Sequence, residues 1–251
     1  MGTRVLHISP QPERIFDEYP RRGVDVAANL EREFRAACAK VCMDTICAAR
    51  GVPPPEDAAK FEGVVITGSV LSVYNNIPWL RDLRNFVSEA ISRKIPVLGI
   101  CFGHQLIADM YGGAVMGGGR GKELGMIPVD LTAGGMRDAL YLNVDQRPYV
   151  MSSHGDVVSM VPRGATLLAK GDTYDVQSLA IGSGVRTVQF HPEFDPDTFD
   201  ALLEVNPPDY GDLVPLPSSP SWRVAVKRTG SKILRNFMEH FILRREQRKV
   251  V

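Results

Sequence analysis

Short apolar runs alternate with amphipathic stretches through the first half of the chain. Residues 4–9 (RVLHIS) read as a strand. Residues 23–40 carry Val26, Leu30, Phe34 and Ala37 at three- and four-residue spacing, which predicts a helix. A second short strand is expected near residues 41–46, and the run Pro53-Pro54-Pro55 reads as a surface loop. Residues 63–67 (GVVIT) form a compact buried strand, 79–94 a helix, and 95–100 (IPVLGI) another buried strand, followed by a helix to about Tyr111. Strands that are apolar throughout and alternate with helices predict a parallel sheet covered on both faces. The expected fold is therefore α/β, a flavodoxin-like, doubly wound and mostly parallel sheet. Residues 122–190 change character, alternating apolar and polar positions between Gly and Pro turns. That pattern predicts antiparallel strands, added to the sheet or forming a small second one. Residues 206–220 hold Pro207, Pro208, Pro215, Pro217 and Pro220 and read as a Pro-rich insertion. Residues 222–245 predict a terminal amphipathic helix with Ile233, Leu234, Phe237 and Phe241 on its apolar side. Residues 1–251 read as a single domain.

The length of 251 residues is enough for one large core. Lys+Arg and Asp+Glu are both 29, so the formal net charge is zero. A neutral chain carries no electrostatic footprint for nucleic acid or an anionic membrane. The one basic cluster, Arg244, Arg245, Arg248 and Lys249, reads as a solvated helix end. No apolar run reaches the roughly 18 residues of a membrane span, and the first residues lack a signal-peptide core. A cytoplasmic setting with reduced thiols is the expectation for Cys38, Cys42, Cys47 and Cys101. The first three are close in sequence but lack an obvious fourth ligand, and they are expected to pack in the core.

Cys101 stands apart. It lies in Gly99-Ile100-Cys101-Phe102-Gly103, between a buried strand and a helix. Glycines two residues before and after permit a sharp strand-to-helix turn where bulkier side chains would meet neighbouring strands. This is the cysteine counterpart of the Gly-x-Ser-x-Gly nucleophile elbow. Such a turn lifts the sulfur above the carboxyl edge of the sheet, where open α/β sheets place their sites. The helix N-terminus favours the thiolate form. The Phe102 amide would face a developing oxyanion. Thr67-Gly68-Ser69-Val70 also follows a buried strand, so backbone donors of Gly68 and Ser69 could complete the oxyanion hole.

Five histidines compete for the role of base. His7, in the first strand, and His240, on the last helix, read as structural or surface residues. His104 sits on the helix leading away from Cys101 and reads as structural. His191 follows an apolar strand pattern, and Glu193 lies two residues later. In extended backbone those two side chains project to the same side. The carboxylate could then fix the tautomer of the imidazole while its other nitrogen faces the thiol. A metal site joining His154, Asp156 and His191 matches no compact zinc spacing, so no metal and no other cofactor are expected.

The motif Ile100-Cys101-Phe102-Gly103-His104-Gln105 resembles the nucleophile motif of class I glutamine amidotransferase domains. Thr67 to Tyr74 resembles the oxyanion-loop segment of that family, although Ser69 and Val70 depart from the more usual Gly-Gly-Pro type sequence. Gln189-Phe190-His191-Pro192-Glu193-Phe194 resembles its His-Pro-Glu motif. The resemblance covers roughly residues 1–195 and the terminal helix, and leaves 196–221 as an unassigned insertion. It implies a catalytic triad of Cys101, His191 and Glu193. It also implies substrate contacts from Gln105 and from backbone around Ser153 and His154, and it places the segment 121–125 near a glutamine pocket.

The expected activity is release of ammonia from glutamine through a cysteinyl γ-glutamyl thioester, similar to the glutaminase part of GMP synthetase. A γ-glutamyl peptidase acting on glutathione-like conjugates uses the same chemistry. A catalytically silent binding module is the alternative from another class. There is no Gly-x-x-x-x-Gly-Lys-Ser/Thr loop for ATP, so any synthetase step that accepts the ammonia would fall to a partner subunit.

Overall fold

The computed structural model describes residues 2–51, 53–205 and 221–245. Its strands are β1 (Arg4–Ser9), β2 (Cys42–Cys47), β3 (Gly63–Ile66), β4 (Val97–Ile100), β5 (Ala114–Gly117), β6 (Glu123–Leu131), β7 (Tyr149–His154), β8 (Asp156–Met160), β9 (Thr166–Gly171), β10 (Ser178–Ile181) and β11 (Val185–Val188). Its α-helices are α1 (Glu13–Glu18), α2 (Val26–Ala37), α3 (Pro78–Ser92), α4 (Phe102–Met110), α5 (Pro196–Val205) and α6 (Ser221–Phe237), the last continuing as a π-helical segment, Met238–Leu243.

The main sheet has nine strands in the order β2-β1-β3-β4-β11-β10-β9-β6-β7, and β5 pairs with β8 in a separate ribbon. The strands from β2 to β11 run parallel, and those from β10 to β7 are added antiparallel. The expectation of a mostly parallel, flavodoxin-like sheet with antiparallel additions describes what the chain adopts. The antiparallel strands both extend the sheet and make a second one. β11 is the exception within 122–190. It pairs parallel with β4, Val188 opposite Ile100, because the β10–β11 hairpin returns the chain to the open edge of β4.

Alternation along the central strands sends neighbouring residues to opposite faces. Val5, Val65 and Leu98 pack with Leu30 and Phe34 of α2 and with Ile233 and Phe237 of α6. Leu6, Val64 and Ile66 pack with Leu83 and Phe86 of α3 and Leu106 of α4. Each such fully buried side chain contributes about 1.5–3 kcal/mol, so these two layers hold the fold. α1 buries no residue.

Local chemistry sets the helix limits. α2 starts at Val26 because the Asp25 side chain accepts from the Ala28 amide at 2.9 Å. α3 starts with Pro78, which fits a first-turn position whose amide has no helical partner. The terminal helix begins at Ser221 and runs close to its expected course. Residues 196–205 of the unassigned insertion form α5, and the Pro-rich 206–220 lie outside the described residues, as do Arg248 and Lys249. Arg245 is not merely solvated, since its guanidinium donates to Glu62 at 3.1 Å. Of the three clustered cysteines, expected to pack in the core, Cys42 departs from that expectation. Cys47 is buried, Cys38 is half-buried and packed against the core, and Cys42 is exposed because it opens a strand at the sheet edge. Among the described residues no group of ligands could hold a metal, and no helix is long and apolar enough to cross a membrane.

Candidate active site

The carboxyl ends of β1, β3, β4 and β11 meet at one rim of the sheet, and a cavity of about 440 Å³ opens there. The last three strands each deliver one functional segment to it. Thr67 to Ser72 follow β3, Cys101 follows β4, and His191 and Glu193 follow β11.

Cys101 sits at the turn between β4 and α4 with φ 52 and ψ −99. A non-glycine residue in that region is strained, and such strain persists only where the surroundings enforce it. Here the enforcement is visible. The Cys101 amide donates to Val188 O at 2.8 Å, and Cys101 O accepts from the Gln105 amide at 3.1 Å. The flanking glycines allow α4 to lie directly on the sheet. A Cβ on Gly99 would meet Gly103 O at 2.5 Å, and one on Gly103 would meet Ile66 O at 2.4 Å. The side chain of the N-cap residue Cys101 makes no capping bond to α4, and this helix N-terminus lies at the rim.

His191 Nδ1 donates to Glu193 Oε1 at 2.7 Å, and both residues are buried. The ring and Cys101 flank the same glycine: a Cβ on Gly68 would meet His191 Cε1 at 2.7 Å and Cys101 Cβ at 3.4 Å. The expected triad residues are thus brought together, but not by extended backbone. Residues 192–193 form a turn, with the Phe194 amide donating to His191 O at 3.3 Å. Anchors outside the motif fix that turn. The His191 amide donates to Met151 O at 2.8 Å. Asn29 Nδ2 on α2 donates to Glu193 O at 3.0 Å. Gly230 of α6 approaches so closely that a Cβ would meet Pro192 O at 2.4 Å. Phe194 stacks on the imidazole, centroids 4.1 Å apart and planes 10° apart.

Gly68 thus lies against both reacting groups. Ser69 is occupied otherwise at its side chain, which donates to Pro10 O at 2.8 Å and accepts from the Leu71 amide. Gln11 Oε1 accepts from the Val70 amide at 3.2 Å. Gln105 Nε2 donates to Asp156 O at 2.8 Å and to Gln189 Oε1 at 3.2 Å. Ser153 O lies 3.9 Å from Cys101 Sγ. His154 is buried behind it, its Nε2 2.9 Å from Glu123 Oε2 and its Nδ1 3.1 Å from Asp156 O. Gln177 Nε2 donates to the same Glu123 oxygen at 2.8 Å. The segment 121–125 does reach the cavity through Lys122 and Leu124, while Glu123 braces the wall from behind. The exposed Tyr74 donates from its hydroxyl to Oδ1 of Asp156, a lining residue, at 2.9 Å.

His104 is structural, with Nδ1 2.7 Å from Thr187 Oγ1 and no face on the cavity. His7 is not a surface residue. It is buried, bonded to Thr45 and Thr67, and forms part of the cavity wall. Asn29 escaped sequence reading, as did the stacking of Phe194 on the imidazole, the Gln189–Gln105 bond and the pairing of Glu123 with His154. Asn29 lies far from every motif, and the other contacts join residues that are distant in sequence or side-chain orientations that spacing does not fix, so only the tertiary fold makes them.

The buried histidines give stability opposing pH slopes. Burial holds His7 down at about 4 and His104, with His154 nearby adding to it, at about 3, against 6.5 for the free side chain. Their contribution is present above about 6.5 and is lost as pH falls toward those folded values, because the unfolded chain takes up the protons first. Burial also pushes His191 down, but the Glu193 carboxylate and the Cys101 sulfur outweigh it and raise the ring to about 10. Its contribution is complete below about 6.5 and is lost as pH rises through about 10. Each proton is worth about 1.4 kcal/mol per pH unit. We expect unfolding free energy from urea titration to peak near pH 6.5, falling on both sides and more steeply below. A curve that climbs steadily from pH 6.5 to 9 would contradict the raised His191.

A doubly wound sheet with a cysteine elbow at its carboxyl edge belongs to the α/β proteins that carry a nucleophile-elbow geometry. The sequence narrows this further. Residues 23–206 match the family model described as glutamine amidotransferase class-I, and the chain belongs to that family. It is 29% identical over 154 residues to gamma-glutamyl peptidase 5 of Arabidopsis thaliana, covering 61% of this chain and 61% of that protein. The chain thus spans about three fifths of that relative. It is 32% identical over 139 residues to a glutamine-hydrolyzing GMP synthase subunit of Methanocaldococcus jannaschii, covering 55% of this chain and 68% of that one. A glutamine amidotransferase from Thermotoga maritima shares the fold with a TM-score of 0.77 at 22% identity, over 96% of this chain and 99% of the other.

Proposed function

We propose that this chain hydrolyses γ-glutamyl amide bonds by covalent catalysis, with Cys101 as nucleophile, His191 as acid and base, and Glu193 as its orienter. The observation that carries the reading is the strained Cys101 held beside a buried His191–Glu193 pair in one open cavity. Strain at a non-glycine residue has no packing purpose here and fits a side chain aimed at a reactant.

Cys101 Sγ, its proton on His191, adds to the γ-carbonyl carbon. Negative charge moves to the oxygen, which the backbone amides of Gly68, Ser69 and Phe102 would receive. The intermediate collapses with cleavage of the C–N bond, and His191 gives its proton to the departing nitrogen. Water then loses a proton to the neutral imidazole and adds to the thioester. The C–S bond breaks, glutamate forms, and the proton returns to the Cys101–His191 pair. Gln105 and the wall from Ser153 to Asp156 offer polar groups for the amino-acid end of the substrate. This residue set needs no metal or organic cofactor.

The volume of about 440 Å³ falls in the range of sites for drug-sized ligands, about 300–1,000 Å³, and exceeds what a departing ammonia requires. That supports a substituted amine as leaving group, in keeping with the relative named gamma-glutamyl peptidase. The relative named as a glutamine-hydrolyzing GMP synthase supports a second reading, glutamine hydrolysis that supplies ammonia to a separate synthetase chain. Both readings share the thioester. Incubation with diazo-oxo-norleucine followed by peptide mass spectrometry tests it. We expect a single adduct, on Cys101. Protein that stays unlabelled, alone and with synthetase chains added, would point to the silent binding module.

A further inference from the structure

The cavity does not end at the imidazole. Compact α/β units join strand to helix in about 2–6 residues, whereas here residues 10–25 separate β1 from α2. This long connection carries α1, and it turns Ile15, Phe16, Tyr19 and Val24 toward the same cavity that holds Cys101. Tyr19 and Val24 belong to one hydrophobic cluster with Leu124 and Phe194, and Phe194 is the ring stacked on His191. An apolar wall therefore continues directly from the face of the catalytic imidazole.

Chemistry fixes which part of a substrate meets that wall. The imidazole must face the departing nitrogen to protonate it, so whatever is bonded to that nitrogen projects past His191. The acyl end lies the other way, toward the polar groups of Gln105 and Asp156. Ammonia from glutamine would leave the apolar wall empty and wet. We infer that the wall formed by residues 10–25 and Phe194 is a leaving-group subsite, and that the substrate is a γ-glutamyl amide whose amine bears an apolar or aromatic side chain. This assignment rests on the hydrolase reading above and adds to it the identity of the amine.

The test compares kcat/KM for γ-glutamyl-phenylalanine and γ-glutamyl-glycine. The two probes carry the same carboxylate on the amine and differ only in the benzyl group. Burying a side chain of that size is worth a preference of about tenfold or more for phenylalanine. Ile15→Asp and Phe16→Ser alter half-buried positions on a helix that buries no residue, and each is expected to cut the ratio to about threefold or less. Turnover of both dipeptides with equal kcat/KM in the wild type would overturn the subsite while leaving the hydrolase intact. An unaltered ratio in both variants would overturn it too. Absence of turnover and of a Cys101 adduct would remove the hydrolase, and the subsite with it.

Discussion

Cys101→Ala is expected to lower γ-glutamyl amide hydrolysis by about 10⁴-fold or more while moving the thermal midpoint by only a few degrees. The two halves of that expectation have different causes. Activity disappears because no other group can form the acyl bond. Cys38, Cys42 and Cys47 lie on the first part of the chain, and among the cysteines only Cys101 lines the cavity. Stability is spared because the sulfur does little structural work. It lies 3.9 Å from Ser153 O, and although Cys101 sits in the buried core cluster, alanine keeps the Cβ and removes a single atom at the edge of the cavity. The backbone bonds that impose the turn belong to the main chain and survive in alanine, which bears the same positive-φ strain. Losing the sulfur also removes one of the charges that raise His191, a cost that is complete below about pH 6.5 and fades as pH rises toward 10. Turnover assays on glutamine and a γ-glutamyl dipeptide, beside a thermal melt, read both halves. A variant that retains full turnover would exclude Cys101 as the nucleophile. A variant that unfolds at room temperature would mean the thiol is part of the core.

What could be read from the sequence was whatever local pattern decides. β3 and β4 are buried along their whole length, so their continuous apolar runs could belong only to the centre of a sheet. The elbow was legible because glycine spacing is a steric requirement, and the Gly99 and Gly103 clearances bear it out. What stayed hidden depends on partners. α1 has no buried residue and hence no periodicity to detect. β11 shows an apolar strand pattern, but nothing in a strand's own sequence says whether its neighbour runs parallel. The proximity of His191 and Glu193 was expected from extended backbone and arises from a turn. Spacing by two fits both geometries, and the choice is made by Asn29, Gly230 and Met151, which are distant in sequence. The apolar wall was invisible for the same reason, since residues 10–25 carry no motif and acquire meaning only beside Phe194.

Glu193→Gln is expected to reduce kcat by about 10²–10⁴-fold, with a smaller change in KM, and to shift the alkaline limb of the rate profile toward lower pH. The carboxylate accepts from His191 Nδ1 through Oε1, and its Oε2 has no hydrogen-bond partner among the described residues. A carboxamide can enter this space in two ways. With its oxygen toward Nδ1–H, the NH₂ takes the place of Oε2 and is buried without an acceptor, which costs about 1–3 kcal/mol. With NH₂ toward Nδ1, an acceptor oxygen lies where an unpartnered oxygen already lies. The second arrangement is the less costly one. It forces the ring proton onto the nitrogen facing Cys101, where an imidazole can no longer accept the thiol proton. In either arrangement the negative charge is gone, and burial then dominates the ring, so His191 gives up its second proton well below the value of about 10 it has beside the carboxylate. Since a raised histidine stabilises the fold most at low pH, the variant should also lose more stability at pH 6 than at pH 9. Glu193→Asp keeps the charge and should recover part of both effects. Equal rates and an unmoved alkaline limb in the Gln variant would reduce Glu193 to a buried neighbour of the imidazole with no part in orienting it.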